Sequence, residues 1–462
     1  MLVNTLLAIG SVDGRYREIT QPLDIYVSEF GLMKYRVMAE CVYLLKLSER
    51  GVTRKFNDGE KDFLANLWSQ MTVSDAEEIK VIESTTKHDV NAMINWLKQK
   101  CASEGLGDVA EKIHYLLTSE DINNIAYRWQ IKEANEKIIL PSLRKIMMTL
   151  MMMAEKYCRI PMLARTHGQA AVTTTVGKEL GVFLDRLIKE YTKMKKFRFT
   201  GKSNGAVGNF NAHYLLEKEI DWIDFSSDYI TQLDLIPNLI TTQINPAEDI
   251  VEYFQILQRM DNILIDLAQD TWRYISDDWF KQVNKKGEVG SSTMAQKVNP
   301  IDFENAEGNF FMANGLIAAI VNKLSISRLQ RDLSDSTVIR HLGTIFGDVL
   351  VGLTKINNGL GKVSPNEMVM SEALNRNWGI LSEAVQLKLR KETNLPDPYT
   401  LVKEFVRGRL LTSQNYADWI SSLDIELEVC NDLLLLTPES YFGVAPQLTE
   451  MLIAEAGALL II

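Results

Sequence analysis

The sequence predicts an all-α protein of three helical domains, the central one built of long helices in an elongated bundle. Three observations carry this reading. Apolar residues recur at alternating spacings of three and four through several segments of roughly thirty residues, the seam of long helices packed nearly parallel. Strand-like alternation is scarce, and 229–244 is the best candidate for extended chain. A chain of 462 residues also exceeds what one compact core holds, so two or three domains are expected.

Taken in order, the first long helix is expected over about 119–157. Its seam is Ile139, Leu143, Ile146, Leu150, Met153 and Tyr157. Thr118 with Asp121 reads as a capping box, and Pro141 predicts a kink. The methionines of 147–153 read as core filler. A second helix is expected over 172–199, with Val176, Leu180, Phe183, Leu187, Tyr191 and Met194 on one stripe. Lys189, Lys193, Lys195, Lys196 and Arg198 cluster at its end, where cations favour the negative pole of the helix dipole. A third helix spans 246–280, with Asn245 as cap, Pro246 at the first helical position and Ile250, Phe254, Leu257, Leu264, Ala268 and Ile275 on its stripe. Two more follow at about 302–325 and 336–358. Weak boundaries near 105–107 and 359–365 suggest domains at 1–117, 118–362 and 363–462.

Composition excludes several function classes. A formal charge of −10 argues against nucleic acid or an anionic membrane as partner. Cys41, Cys101, Cys158 and Cys430 lie far apart with no C-x-x-C pair, so neither a disulfide framework nor a zinc site is expected. No two of the five histidines stand at metal-ligand spacing, so no metal or other cofactor is implied. The first residues lack a basic stretch followed by an apolar run, and a cytoplasmic location is expected. The apolar run 457–462 is far too short to span a membrane and reads as a docked or frayed helix end.

The chemistry concentrates in a few short motifs. Between the third and fourth long helices, 285–305 reads K-K-G-E-V-G-S-S-T-M-A-Q-K-V-N-P-I-D-F-E-N. By composition it is a hydroxyl-rich loop, with Lys297 and Asn299 offering a charge and an amide suited to a carboxylate. Its wording says more. G-S-S-T-M-A-Q-K-V-N-P resembles the G-S-S-x-M-P-x-K-x-N-P signature of the aspartase/fumarase superfamily. Within it, the chain is similar to the adenylosuccinate lyase family of the long bacterial type. The other matching segments are V-D-G-R-Y (12–16), T-T-K-H-D-V (85–90), T-S-E-D-I-N-N (118–124), R-T-H-G-Q (165–169), N-G-A-V-G-N (204–209), T-T-Q-I-N-P (241–246) and R-D-L-S-D-S-T-V-I-R (331–340). The motifs run in register over roughly 10–345. Beyond them only a general helical character matches.

The resemblance implies a metal-free β-elimination that releases fumarate from a succinyl amine carrying a ribose phosphate. It implies Ser291 as base and His167 as general acid, with Glu304 orienting the imidazole. Ser292, Lys297 and Asn299 would bind carboxylate. His88 with Asp89, and the neighbouring Lys87, would position the substrate. Thr118 and Ser119 would bind its succinyl end, although both also suit a helix cap, and Gln243 would contact the substrate. Arg331, Ser336, Thr337 and Arg340 would hold the phosphate at a helix start, joined by Arg15 and Tyr16. His114, His213 and His341 are left structural.

Some positions depart from the family pattern: Ala295 for Pro, Gln296 for His, Lys87 for Asn, and Asn245–Ala247 for Glu-Pro-His. Gln296 resembles argininosuccinate lyase. The nearest rival is another fumarate-releasing lyase, on argininosuccinate or aspartate, which T-S-E-D and the arginine-rich 331–340 segment argue against. An inactive homologue that kept the bundle is the other. Geometry also suggests a site shared between subunits. A helix over 119–157 is roughly 55–60 Å long at 1.5 Å per residue. The ten residues 158–167 reach back at most about 35 Å, so Thr118 and His167 of one chain cannot meet on one small substrate. The family's homotetramer, with sites built from three subunits, agrees.

Overall fold

A computed structural model describes residues 5–283 and 297–460. Helices dominate, and the sheets among the described residues are three two-stranded pairings, as the all-α reading requires. No helix among these residues is long and apolar enough to cross a membrane. All four cysteines are free.

The first seam folds as one helical run. Ser119–Ala134 continues through a π-helical turn, Asn135–Ile139, into Leu140–Lys156. The capping box forms, with Asp121 Oδ2 accepting from the Thr118 N–H at 2.9 Å. The disturbance expected at Pro141 takes the shape of the π turn before it, in which the Leu140 N–H reaches back to the Asn135 carbonyl. Pro141 has no N–H for the Lys137 carbonyl, and the wider turn absorbs the missing bond. Ile139, Leu143, Ile146 and Leu150 are fully buried.

The second helix starts later than its seam suggested. It is Val176–Lys195, and the residues from Val172 to Thr175 belong to a hairpin strand, Gln169–Thr175, paired antiparallel with Pro161–Thr166. Four β-branched residues in a row, Val172 to Thr175, favour the strand. The third helix is Glu248–Ser276. Asn245 does not cap it. That side chain is buried, accepting from Asn238 and donating to Thr200 Oγ1 at 3.0 Å, and the Ala247 carbonyl takes the helix's first bond from the Val251 N–H. Ile301–Leu324 follows, and then the 336–358 segment divides into Ser334–Ile339 and Leu342–Leu360. Extended chain within 229–244 shrinks to Ile236–Pro237, paired in parallel with Thr200–Gly201. Tyr229 and Ile230 instead close the helix Trp222–Gln232, which the Asp221 carboxylate caps.

The chain divides into two compact units. The first holds the chain up to Leu143 with Glu190–Asn262 and Gly308–Thr354; the second holds Arg144–Lys189, Ile263–Glu307 and the chain from Lys355 on. Residues 1–117 thus fall in the first unit, 363–462 in the second, and 118–362 contribute to both. The first unit's core includes an edge-to-face cluster of Tyr43 against Phe225 and Tyr229, and another of Tyr253 against Phe254. In the second unit, Leu381, Val385, Leu389, Tyr416, Ile420 and Leu433 make a small separate core. The apolar end of the chain is docked there: Leu460 is fully buried and its carbonyl accepts from Arg144 Nε at 2.8 Å.

Candidate active site

The first unit encloses a cavity of about 790 Å³, lined among others by Lys87, His88, Asp89, Arg331, Ser336, Thr337 and Arg340. Seven residues named from the sequence therefore converge on one space. His88 caps the helix Asp89–Ser103 with its ring: Nδ1 accepts from the Asn91 N–H at 3.2 Å. A neutral ring that accepts at Nδ1 carries its proton on Nε2, which leaves that N–H as a donor. Asp89 meets buried Arg36 at 2.9 Å. Burial pushes the Asp89 carboxyl up, but Arg36 and the Val90 N–H together hold it below its ordinary value. Lys87 ends the preceding helix, Val73–Thr86, in the left-handed conformation at φ 55°.

Arg331 is the cavity's other pole. Its Nη2 lies 2.9 Å from Glu120 Oε1 and its Nη1 donates to Gln243 Oε1 at 3.2 Å, which brings Gln243 to the site through Arg331. Burial raises the Glu120 carboxyl above its ordinary value, against the pull of Arg331. Ser336 and Thr337 sit in the short helix Ser334–Ile339, and exposed Arg340 has no partner among the described residues. Arg15 and Tyr16 lie in the turn before Arg17 and do not line the cavity. Neither do Thr118 and Ser119, although the next residue, Glu120, does.

Three motifs also build the cavity's frame. Asp121 and Lys202 form an ion pair of 3.0 Å with both side chains fully buried. Asp121 also accepts from the N–H groups of Asn204 and Gly205, so T-S-E-D and N-G-A-V-G-N close on one carboxylate. Gly208, at φ 82°, lies against the 241–246 segment so closely that a Cβ would stand 2.4 Å from the Thr241 carbonyl oxygen. Asn204 donates to Thr241 Oγ1 at 2.9 Å. Sequence reasoning missed Arg36, Glu120, Tyr127 and Arg128 as cavity residues. A signal existed for Arg36, a cation set within the apolar run of the helix Glu29–Glu49.

His167, expected as the general acid, belongs to the second unit. His167 and Gly168 are the two residues joining the hairpin strands, at φ 53° and 73°. Positive φ at both central positions is the type I′ turn. It presents His167 exposed, with no hydrogen-bond partner among the described residues. Glu304, in the first turn of Ile301–Leu324, accepts from Trp272 Nε1 at 3.1 Å; it does not hydrogen-bond to His167 of its own chain. Lys297 is exposed and Asn299 half-buried. Ser291, Ser292, Ala295 and Gln296 lie outside the described residues. No cluster able to hold a metal occurs among the described residues.

The remaining histidines are held by their surroundings or lie on the surface. His114 Nδ1 is 2.5 Å from Glu40 Oε1; burial lowers its pKa, but the carboxylate raises it to a net value above the ordinary one. His213 packs against Trp222, and burial pushes it down to about 4. His341 is exposed.

Comparison with known proteins bears on the whole chain. A lyase family matches residues 27–315, and the adenylosuccinate lyase C-terminal family matches 327–442. Adenylosuccinate lyase of Haemophilus influenzae is 42% identical over 98% of this chain and 100% of its own length. This chain belongs to the adenylosuccinate lyase family. The Dictyostelium discoideum member is 42% identical over 96% of this chain and 98% of its own, and that of Escherichia coli 38% over 98% and 100%. The family therefore extends through the C-terminal segment, where no motif had been recognised. Among solved structures, a fumarate lyase from Mesorhizobium sp. BNC1 superposes with a TM-score of 0.75 at 16% identity, covering 95% of this chain and 97% of that one. A 3-carboxy-cis,cis-muconate lactonizing enzyme from Pseudomonas putida gives 0.74 at 17%, covering 95% and 99%. These two share the fold.

Proposed function

We propose that this chain catalyses the adenylosuccinate lyase reaction, splitting adenylosuccinate into AMP and fumarate, and the same elimination on the succinyl-aminoimidazole-carboxamide ribotide of purine synthesis. The observation that carries the reading is the convergence of the His88–Asp89 and Arg331–Arg340 motifs on one cavity, in a chain about 40% identical to curated members over nearly its full length.

The elimination removes a proton from the carbon next to one succinyl carboxylate. It then breaks the bond from the neighbouring carbon to nitrogen and returns a proton to that nitrogen. Ser291 takes the first proton and His167 supplies the second. Lys297, Asn299 and Ser292 hold the carboxylate while the carbanion's charge spreads onto it. His88 donates from Nε2, with Asp89 and Lys87 beside it. Thr118 and Ser119 serve the succinyl end, and Gln243 contacts the substrate beside Arg331. Arg331, Arg340, Ser336, Thr337, Arg15 and Tyr16 serve the phosphate. Glu304 orients His167. The uninterrupted helical run from Ser119 to Lys156 lies between Thr118 and His167 in the chain and supports a homotetramer whose sites draw on several subunits.

An ultraviolet assay of the purified protein tests this. Adenylosuccinate is expected to yield AMP and fumarate in equal amounts, with the rate unchanged by a chelator. Absence of turnover under any condition would instead favour a homologue that kept the bundle and lost activity.

A further inference from the structure

One line of hydrogen-bonded side chains joins the two poles of the cavity. Asp89 pairs with Arg36 at 2.9 Å. Arg36 Nε donates to Asn123 Oδ1 at 2.9 Å, and Asn123 Nδ2 donates to Glu120 Oε1 at 2.8 Å. The same Glu120 oxygen receives Arg331 Nη2 at 2.9 Å, and Arg331 Nη1 ends the line on Gln243. Five of these six residues line the cavity. Arg36, Asn123 and Glu120 are all buried, so the line is shielded from solvent along its middle.

Two features point beyond packing. Arg331 Nε is buried without a hydrogen-bond partner among the described residues. The guanidinium is thus held at one donor of each Nη group, and its other donors, in a residue that lines the cavity, are left for an acceptor that arrives with a ligand. Glu120, for its part, is 7% exposed, an expensive place for a carboxylate unless a fixed cation and amide satisfy it. Arg331 and Glu120 each supply what the other lacks, and Arg36 transmits the arrangement to Asp89, the first residue of the helix that His88 caps.

We propose that Glu120 and Arg36 are positioning residues. Glu120 sets the plane of the Arg331 guanidinium so that its unused N–H donors meet an anionic oxygen of the ligand, and Arg36 keeps that pole in register with His88. The identity of the anion, a phosphate or carboxylate of adenylosuccinate, rests on the function proposed above; the positioning itself does not.

The test combines steady-state kinetics, AMP affinity and thermal unfolding. Glu120→Gln keeps the shape and an acceptor but removes the charge. It is expected to raise KM and weaken AMP roughly tenfold, with kcat changed less than about threefold. Because Glu120 acts through Arg331, adding Glu120→Gln to Arg331→Lys is expected to cost little more than Arg331→Lys alone. A KM within twofold of wild type, or losses that multiply in the double variant, would overturn the proposal. Should Glu120→Gln fail to fold, Arg36→Lys keeps the charge facing Asp89 but loses the bond to Asn123. A several-fold rise in KM is expected there, and an unchanged KM counts against the relay. Wild-type protein that does not turn over adenylosuccinate would sink the substrate assignment alone. AMP binding by calorimetry would then still decide on Glu120, with unaltered affinity in Glu120→Gln as the contrary result.

Discussion

Two regions of this molecule solve opposite problems. In the first unit, the groups that would hold a substrate are already tied to one another: Arg331 to Glu120 and Gln243, Asp89 to Arg36, and His88 to its own helix by Nδ1. Beneath them, Asp121 and Lys202 pin three motifs together with no solvent contact. In the second unit, His167 stands exposed on a two-residue turn without a hydrogen-bond partner among the described residues, and Glu304 is engaged by Trp272. The contrast teaches that binding groups can be pre-oriented by pairs within one chain. The proposed general acid, by contrast, is presented without a hydrogen-bond partner among the described residues.

The contrast breaks most severely at Lys202. Lys202→Met leaves Asp121 buried beside three backbone N–H groups but without its cation, and the loss is on the order of 3–5 kcal/mol of stability. Chemical denaturation should reveal it, with substrate affinity falling in parallel; an unchanged midpoint would mean the pair does not hold the motifs. His167→Ala should do the reverse. Its kcat is expected to fall roughly 10²-fold or more, with little change in KM. The unfolding midpoint should stay put, since an exposed side chain without partners leaves nothing unsatisfied. A variant with normal kcat would remove His167 from the chemistry.

Acid sharpens the comparison through His213. Its pKa is about 4 in the folded protein against an ordinary 6.5, because burial disfavours the imidazolium. Between those values the unfolded chain binds the proton and the folded one does not. Stability should therefore fall with decreasing pH across that window, by up to about 1.4 kcal/mol per pH unit. His213→Phe should flatten the slope there; an unaltered slope would assign the acid sensitivity elsewhere. The smallest effect is expected at Lys87, whose left-handed φ suits Asn or Gly better than Lys. Lys87→Asn should raise stability by a few tenths to about 1 kcal/mol. A fall in the melting temperature would show that the lysine makes up for its backbone strain.

Much of this was legible from residue order. The helical seams gave the bundle because a 3.6-residue period survives any tertiary context. The hairpin of 161–175 was missed because its strands are short and its Thr-rich end merges into the seam of the next helix. Its turn was nevertheless written in His167-Gly168, a dipeptide open to positive φ. At the site, motifs named His88, Asp89 and Arg331, since such residues recur as types at fixed spacing. Arg36 and Glu120 were not singled out because their role depends on partners 87 and 211 positions away, Asn123 and Arg331. Asn245 illustrates the opposite error: a good cap by rule, it lies three residues before Glu248, and its side chain is held by Asn238 and Thr200 instead.

The central claim is that the proton-transfer groups of one site come from different chains, and complementation tests it most directly. His167→Ala and Ser291→Ala, each inactive alone, are unfolded together and refolded. With random assortment in a symmetric tetramer, roughly a quarter of the sites should regain both intact groups, and activity with them. A refolded mixture no more active than its parents, despite confirmed mixed tetramers, would put His167 and Ser291 of one site on a single chain and contradict the account.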